Sequence, residues 1–508
     1  MFLILFSKVC CTMKRFILFI SLLFSLSLFA QQKTLEEYIA AAPFKMQPVI
    51  IPSFNNKTFN ITAYGAVADG KTLCTQAFAL AVDACTKAGG GTVIVPAGIW
   101  LTGPIELKSN VHLSVEKNAL IQFTKDRTQY PIIKAGNSST NYTPASPIYA
   151  YDAKNIAIIG EGIIDGAGDS WRPVKKEKTT PQQWNDLIRS GGVVSNDGKI
   201  WWPSIEAMNG EAYIKNNKPK TPEDYLPARD FLRPYMVYFV HCENILLENI
   251  TLRNSPKFVV YPNHCTNLTM NKVTVFNEWW AQNGDGIDIS ACKNVAIYKC
   301  NVNAGDDGIC MKSSGGKDYN KSELENIVIA GCTVLRAHGG FVIGSNTDGG
   351  MNNIYVSDCN FIGTDIGIRV KSNAGRGGLV HNIYVENITM KNIKNEAILF
   401  SSYYEDVPAG KEAKDVVTTA RDKVPEFTGF YLKNIQCDGA KQAVSIIGLP
   451  EMQVHDINLE NITIQSNKGF NATEAKNIIM KNVSINSSNP VFAANKSSNI
   501  SLNGKVIF

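Results

Sequence analysis

The chain reads as an all-β protein, a parallel β-helix with an N-terminal helical cap, and three observations predict it. Asparagine followed by Ile, Val or Leu recurs at 155, 244, 267, 294, 326, 353, 382, 434, 477 and 499, with Asp456 filling the same slot. From 244 onward the steps are 23, 27, 32, 27, 29, 52, 22, 21 and 22 residues, the length of a coil of two or three short strands, with the 52 reading as two coils merged. Cysteine keeps a fixed phase to these asparagines: Cys242, Cys265 and Cys292 stand two residues before one, and Cys300, Cys332 and Cys359 six after one. Repeated phase of this kind is what stacked coils with buried side chains in columns produce, and asparagine suits the turns because it tolerates left-handed backbone.

In chain order, Met13-Lys14-Arg15 followed by the apolar run Phe16 to Phe29 has the form of a secretory leader ending near Ala30, with residues 1–12 as an upstream start artefact. The leader implies a periplasmic or extracellular protein with no membrane insertion once it is removed. Residues 31–58 read as an N-terminal extension, and 59–508 as the β-helix. Thr75 to Lys87 has helical periodicity through Ala77, Leu80, Ala81 and Ala84 and stops at Gly89-Gly90-Gly91, so it is predicted to cover the open end of the stack. Residues 166–234 break the repeat. They carry Trp171, Trp184, Trp201 and Trp202 and a helix predicted from Pro181 to Arg189 ending at Gly191, and they are expected to act as a lid. The strands between the asparagines, such as Ile245–Leu247 and Ile250–Leu252, are short and rich in Ile, Val and Thr.

Composition excludes several classes. Of 508 residues, 44% are hydrophobic, ample for a large core. The net charge of +5 includes Lys8, Lys14 and Arg15; without them 47 basic residues face 45 acidic ones. A near-neutral chain is not a general polyanion binder, so no nucleic acid partner is expected and any preference for acidic substrate must be local. The ten cysteines after Cys10 and Cys11 are expected to be mostly free and buried. Six scattered histidines give no metal-ligand constellation, and Asp348-Gly349-Gly350 reads as a turn, so no metal or cofactor is expected.

Four polar clusters interrupt successive repeats: Asn283-Gly284-Asp285-Gly286-Ile287-Asp288, Gly305-Asp306-Asp307-Gly308, His338-Gly339-Gly340 and Arg369-Val370-Lys371. Phase decides which of them meet. Asp306 follows Asn294 by 12 residues and His338 follows Asn326 by 12, so they should stack on consecutive coils, about 4.8 Å apart. Asp285 falls one coil earlier, after a loop carrying Trp279 and Trp280. Arg369 and Lys371 fall one coil later, and their i, i+2 spacing on a strand points both the same way. Asp306 and Asp307 face one cleft only if the chain bends, which the flanking glycines allow. Clustered carboxylates suit glycoside hydrolysis, because crowding raises the pKa of one while another handles water. The two cations suit a carboxylate on the substrate.

These motifs, in this order, resemble the polygalacturonase family of pectin-degrading glycoside hydrolases, glycoside hydrolase family 28, and its bacterial exo-acting members. The family pattern Asn-Thr-Asp-Gly, Gly/Gln-Asp-Asp, Gly-His-Gly and Arg-Ile-Lys departs here only at Gly284, Ala337 and Val370, none of which supplies a functional side chain. The resemblance implies a right-handed, single-stranded parallel β-helix and an inverting mechanism. By it, Asp306 is the general acid, Asp285 and Asp307 hold and deprotonate the water, and His338 tunes the acid. It also makes Arg369 and Lys371 bind the galacturonate carboxylate, and places Asn283, Tyr404 (with Tyr403 competing) and Arg376 among the substrate contacts. The implied partner is a pectic polysaccharide or oligogalacturonide, attacked by a monomer. The insertion predicts exo action, by walling off one end of the cleft. The rival readings are a rhamnogalacturonan galacturonohydrolase, a calcium-dependent pectate lyase and a non-catalytic glycan-binding β-helix.

Overall fold

A computed structural model describes residues 33–316, 318–404 and 423–508; the expected leader at 1–30 lies outside them. Two compact units divide at Ala41 and Ala42. In the first, the helix Leu35–Ala41 starts from a reciprocal cap: Glu37 N–H donates to Thr34 Oγ1 at 3.2 Å and Thr34 N–H to Glu37 Oε2 at 2.6 Å.

The second unit is a right-handed parallel β-helix. One column of strands runs Ile148–Tyr151, Val237–Val240, Val260–Asn263, Ile287–Ser290, Asp307–Lys312, Gly339–Ile343, Ile368–Lys371 and Glu396–Ser401, each parallel to the next. A second column carries the leading asparagines, in Lys154–Ile159, Glu243–Glu248, Thr266–Asn271, Lys293–Tyr298, Leu324–Ala330 and Met351–Ser357. A third holds three-residue strands such as Thr274–Phe276 and Asn301–Asn303. Inward positions stack like on like: Ile245, Leu268, Val295, Ile327, Ile354 and Ile383 lie in register and are fully buried. Each coil buries its apolar side chains only against the coils above and below it.

The asparagines do what their recurrence implies. Asn244, Asn267, Asn294, Asn326 and Asn353 all have φ between 55° and 62°. Each donates from its amide to the asparagine one coil earlier: Asn244 to Asn155 at 2.9 Å, Asn267 to Asn244 at 3.0 Å and Asn353 to Asn326 at 3.0 Å. One assignment needs correction. Asn434 donates to Asn387 at 3.0 Å, so it belongs to a second ladder, and Gly429 (φ 63°) holds the leading slot of that coil. Leu379–Lys391 pairs directly with Phe430–Ile447, so one coil runs from Asn382 to Gly429, and the 52-residue step to Asn434 is not two coils merged. Cys242, Cys265, Cys292, Cys300, Cys332 and Cys359 sit in the interior columns of the coils, and all ten described cysteines are buried and free.

The predicted cap helix is present at Thr75–Lys87, packed on the first strands, Thr58–Asn60 and Gly91–Val95. Its buried stripe is Ala77, Phe78, Ala81, Val82 and Cys85, whereas Leu80 points outward at 43% exposure. Leu80 and Ala84 are therefore not the core face; Phe78 and Val82 displace them, because the bulkier pair one residue around the helix fills the end of the stack. Within the insertion, Pro181–Arg189 is the expected helix, with Thr180 as a capping box and Gly191 at φ 101° just past its end. A three-stranded antiparallel sheet (Val174–Lys175, Ile200–Trp202, Val193–Val194) precedes the helix Ile205–Asn217. Trp184 and Trp201 pack with Val174 and against Trp280, the tryptophan on the loop that leads to Asp285. Among the described residues no helix is long and apolar enough to cross a membrane.

Candidate active site

The first strand column carries the site, because the clusters sit where its strands begin. Backbone bonds set the stacking: Gly286 N–H donates to Asp307 O at 2.9 Å, and His338 N–H to Asp306 O at 2.7 Å. Asp285, Asp307 and Gly339 thus fall on successive coils. Residues 305–306 bend before the strand Asp307–Lys312 starts, which lets both aspartates face one cavity. That cavity has a volume of about 460 Å³ and is lined by Asp285, Asp306, Asp307, His338, Asn283, Lys371 and Tyr404, among others.

Oxygens of Asp285, Asp306 and Asp307 all lie within 4.8 Å of one another. Each carboxylate meets a different environment. Asp307 is 1% exposed, with Lys371 Nζ 2.7 Å from Oδ2 and Arg369 Nη1 3.3 Å from Oδ1. Burial opposes its charge, but Lys371, then Arg369 and Lys312, outweigh that and hold Asp307 well below the usual carboxylate range. Asp285 is pushed far up, first by burial and then by the charges of Asp288 and Asp306; its Oδ1 has no hydrogen-bond partner. Asp306 is half-buried. The hydrogen bond from His338 Nδ1, 3.0 Å from Oδ1, overcomes burial and lowers it. Two neighbouring groups of like charge are thus driven in opposite directions, the pattern that separates acid from base. Three such carboxylates would suit a divalent cation by spacing alone, but Asp307 is already neutralised by two cations and Asp285 favours its proton, so the donor set fits a calcium ion poorly.

The predicted residues divide as follows. Asp285, Asp306, Asp307 and His338 converge. Lys371 lines the cavity, and Arg369 stands behind Asp307. Asn283 lines the cavity with its Oδ1 accepting from Arg233 Nη2 at 2.9 Å. Of the two tyrosines it is Tyr404 that enters, its ring 4.4 Å from Lys371 Nζ; Tyr403 instead bridges Asn373. Arg376 sits in the turn after Lys371, its N–H donating to Asn373 O at 3.2 Å, and is not among the described residues lining the cavity.

Sequence reasoning gave no role to five charged groups, of which only Asp288 stood in a named cluster. Lys312 Nζ lies 3.7 Å from Asp285 and 3.4 Å from Asp288, both buried. Burial pushes Asp288 up to about 6, with Lys312 pulling the other way. Strand alternation was an available signal, since Asp288 pairs with Cys310 and Lys312 lies two residues further on the same face. Lys175, Lys178 and Arg233 come from the insertion, for which the repeat gives no phase. Lys178 Nζ reaches His338 Nε2 at 3.2 Å and Gly305 O at 3.1 Å.

A parallel β-helix whose cavity gathers three carboxylates, a histidine and several cations has the composition of a glycoside hydrolase site. Residues 184–499 match the family described as glycosyl hydrolases family 28, and the chain belongs to that family. It is 28% identical over 474 residues to an exo-poly-alpha-D-galacturonosidase of Dickeya chrysanthemi, covering 89% of this chain and 75% of the other. It is 27% identical over 420 residues to an endo-polygalacturonase of Pectobacterium carotovorum, covering 82% and 89%. The solved structure of a hyperthermoactive exopolygalacturonase from Thermotoga maritima superposes with a TM-score of 0.66 at 26% identity, covering 89% of this chain and 95% of that one.

Proposed function

We propose that the protein is a polygalacturonase that hydrolyses α-1,4 bonds between galacturonic acid residues, working from chain ends by a single displacement with inversion. The observation that carries this reading is the contrast between Asp306, bonded at 3.0 Å to His338 and open to the cavity, and Asp307, locked by Lys371 and Arg369. Asp306 is the acid: His338 engages Oδ1, which leaves Oδ2 to carry the proton to the leaving oxygen. In the free site Asp306 favours its ionised form. A bound galacturonate adds negative charge and expels water, and both raise Asp306 towards protonation. Asp285 and Asp307 hold the attacking water; Lys371, Arg369 and Tyr404 take the sugar carboxylate.

The carboxylates approach within 4.8 Å, closer than the roughly 6.5–9.5 Å usual for inverting pairs. Inversion is nevertheless the better reading. Asp307 has an oxygen on each of two cations and Asp285 favours its proton, so neither is a good nucleophile, and water is left to attack. Exo action is supported by the insertion, which supplies Lys175 and Lys178 to the cavity wall, and by the exo-acting relative and solved structure. The leader supports export as a soluble periplasmic or extracellular enzyme.

The test is a product profile on polygalacturonate, with and without EDTA, following reducing ends and the ultraviolet absorbance of unsaturated product. Free saturated galacturonate, released at a rate indifferent to chelator, is expected. A ladder of mixed oligomers at early times would replace exo by endo action. Chelator-sensitive absorbance would make the enzyme a lyase, and silence in both channels would move the substrate to rhamnogalacturonan.

A further inference from the structure

We propose that Lys178, carried by the insertion, is a positioning residue that fixes the tautomer of His338 and through it the readiness of Asp306 to act as acid; this rests on the hydrolase reading of the site. Lys178 closes the turn Lys176–Lys178. Its ammonium meets His338 Nε2 at 3.2 Å, Gly305 O at 3.1 Å and Trp279 O at 3.4 Å, and lies 4.7 Å from the Trp279 ring centre. An ammonium has three hydrogens and no acceptor. Three acceptors face it, so the imidazole nitrogen among them must present its lone pair. The proton of the neutral ring is thereby confined to Nδ1, 3.0 Å from Asp306 Oδ1, where it donates. Among the described residues, none on the β-helix coils does this. A segment outside the repeat sets the protonation geometry of a residue inside it.

The charged groups around this contact are few. Asp306 faces Nδ1, and Asp365 Oδ2 lies 3.8 Å from Nε2 and is itself paired at 3.0 Å with Lys394. Asp306, Asp365 and Glu177 favour the ammonium of Lys178, while burial and Lys175 oppose it. Without Lys178, Nε2 faces Asp365 alone and takes up a proton. The imidazolium so formed holds Asp306 as a carboxylate and withholds the acid, so the acidic limb of the kcat profile moves to higher pH.

The experiment uses the full chain labelled with ¹⁵N-histidine, in which six histidines are few enough to resolve and His338→Asn assigns the signal. Long-range ¹H–¹⁵N spectra of the substrate-free wild type should show His338 protonated at Nδ1 and not at Nε2. Lys178→Met should titrate to the imidazolium at higher pH, with kcat at mildly acidic pH down about 10- to 100-fold and KM little changed, the loss expected for a charge-assisted hydrogen bond. Lys178→Arg, which also lacks an acceptor, should restore the tautomer and the limb. A wild-type His338 protonated at Nε2 overturns the proposal whatever the variants do. So does a Lys178→Met spectrum matching wild type, or a loss confined to KM, which would make Lys178 a substrate cation. The spectra need no turnover, so failure of the polygalacturonase assignment would be seen separately.

Discussion

Replacing Lys371 by methionine tests the electrostatics on which the site depends. Lys371 Nζ lies 2.7 Å from Asp307 Oδ2, with 4% and 2% of the two side chains exposed. At that distance the gross attraction is about 6 kcal/mol for an effective dielectric near 20. Breaking a buried pair on one side costs about 3–5 kcal/mol, because the abandoned charge stays buried. Arg369, 3.3 Å from Asp307 Oδ1, still compensates part of that charge, which places the loss at about 3 kcal/mol. The pH dependence has a definite sign. Asp307 is depressed in the folded state, so its stabilisation is complete above the unfolded value near 3.9 and is lost as pH falls towards its low folded value. Lys371 is raised by Asp307 against the effect of burial, so its share is present below about 10.4 and lost only above that. The penalty of Lys371→Met should therefore be flat between about pH 5 and 9 and shrink by about 1 kcal/mol at pH 3. Urea unfolding of wild type and variant at pH 7, 5 and 3 measures it. A wild-type midpoint at pH 7, or a penalty that grows towards pH 3, would refute the reasoning.

Two further substitutions probe chemistry and fold separately. Asp306→Asn keeps an oxygen for His338 Nδ1–H and so should keep the unfolding midpoint, while turnover falls by about 10²–10⁴; reducing-end release close to wild type would reject Asp306 as the acid. Asn267→Ala removes the amide that donates to Asn244 at 3.0 Å and leaves φ 56° to a residue without the polar side chain that eases left-handed backbone. Its cost should be about 3 kcal/mol, from left-handed strain and two ladder bonds. Asn267→Gly should recover about 1 kcal/mol of it, and equal thermal midpoints for the two variants would remove the backbone contribution.

What the sequence disclosed follows from periodicity. Asp306 and His338 share a phase with respect to Asn294 and Asn326, and stacked coils turn equal phase into contact, here 3.0 Å between side chains. Arg369 and Lys371 were legible because alternation on a strand is rigid. Asn434 was misassigned because both turns of a coil use asparagine followed by isoleucine, and only the bond to Asn387 reveals which turn it serves. Lys178 and Arg233 were illegible for a different reason. Both lie in the insertion, whose packing on Trp280 through Val174, Trp184 and Trp201 no spacing in the chain encodes.

The charge balance of the site also explains how a nearly neutral chain selects an acidic polymer. Asp285, Asp288, Asp306 and Asp307 stand against Lys312, Lys371, Arg369 and Lys178. With Lys175 on the cavity wall and Arg233 beside Asn283 added, cations outnumber these four aspartates even when every group is ionised. Burial widens the difference: it raises Asp285 far above its ordinary range and Asp288 to about 6. As pH falls these two take up protons while Asp307, held by its cations, does not. The positive charge so uncovered is that of Lys312, 3.7 Å from Asp285 and 3.4 Å from Asp288, on the wall of the same cavity. Anion affinity and protonation of the buried aspartates are therefore linked, and each favours the other. Hydrolysis needs the same proton inventory, because the site must hold a proton for the leaving oxygen while keeping Asp307 ionised beside the water. The bound sugar carboxylate supplies the first condition, by raising Asp306 as proposed above, and the Lys371–Arg369 pair the second, so recognition and chemistry draw on one arrangement of charge.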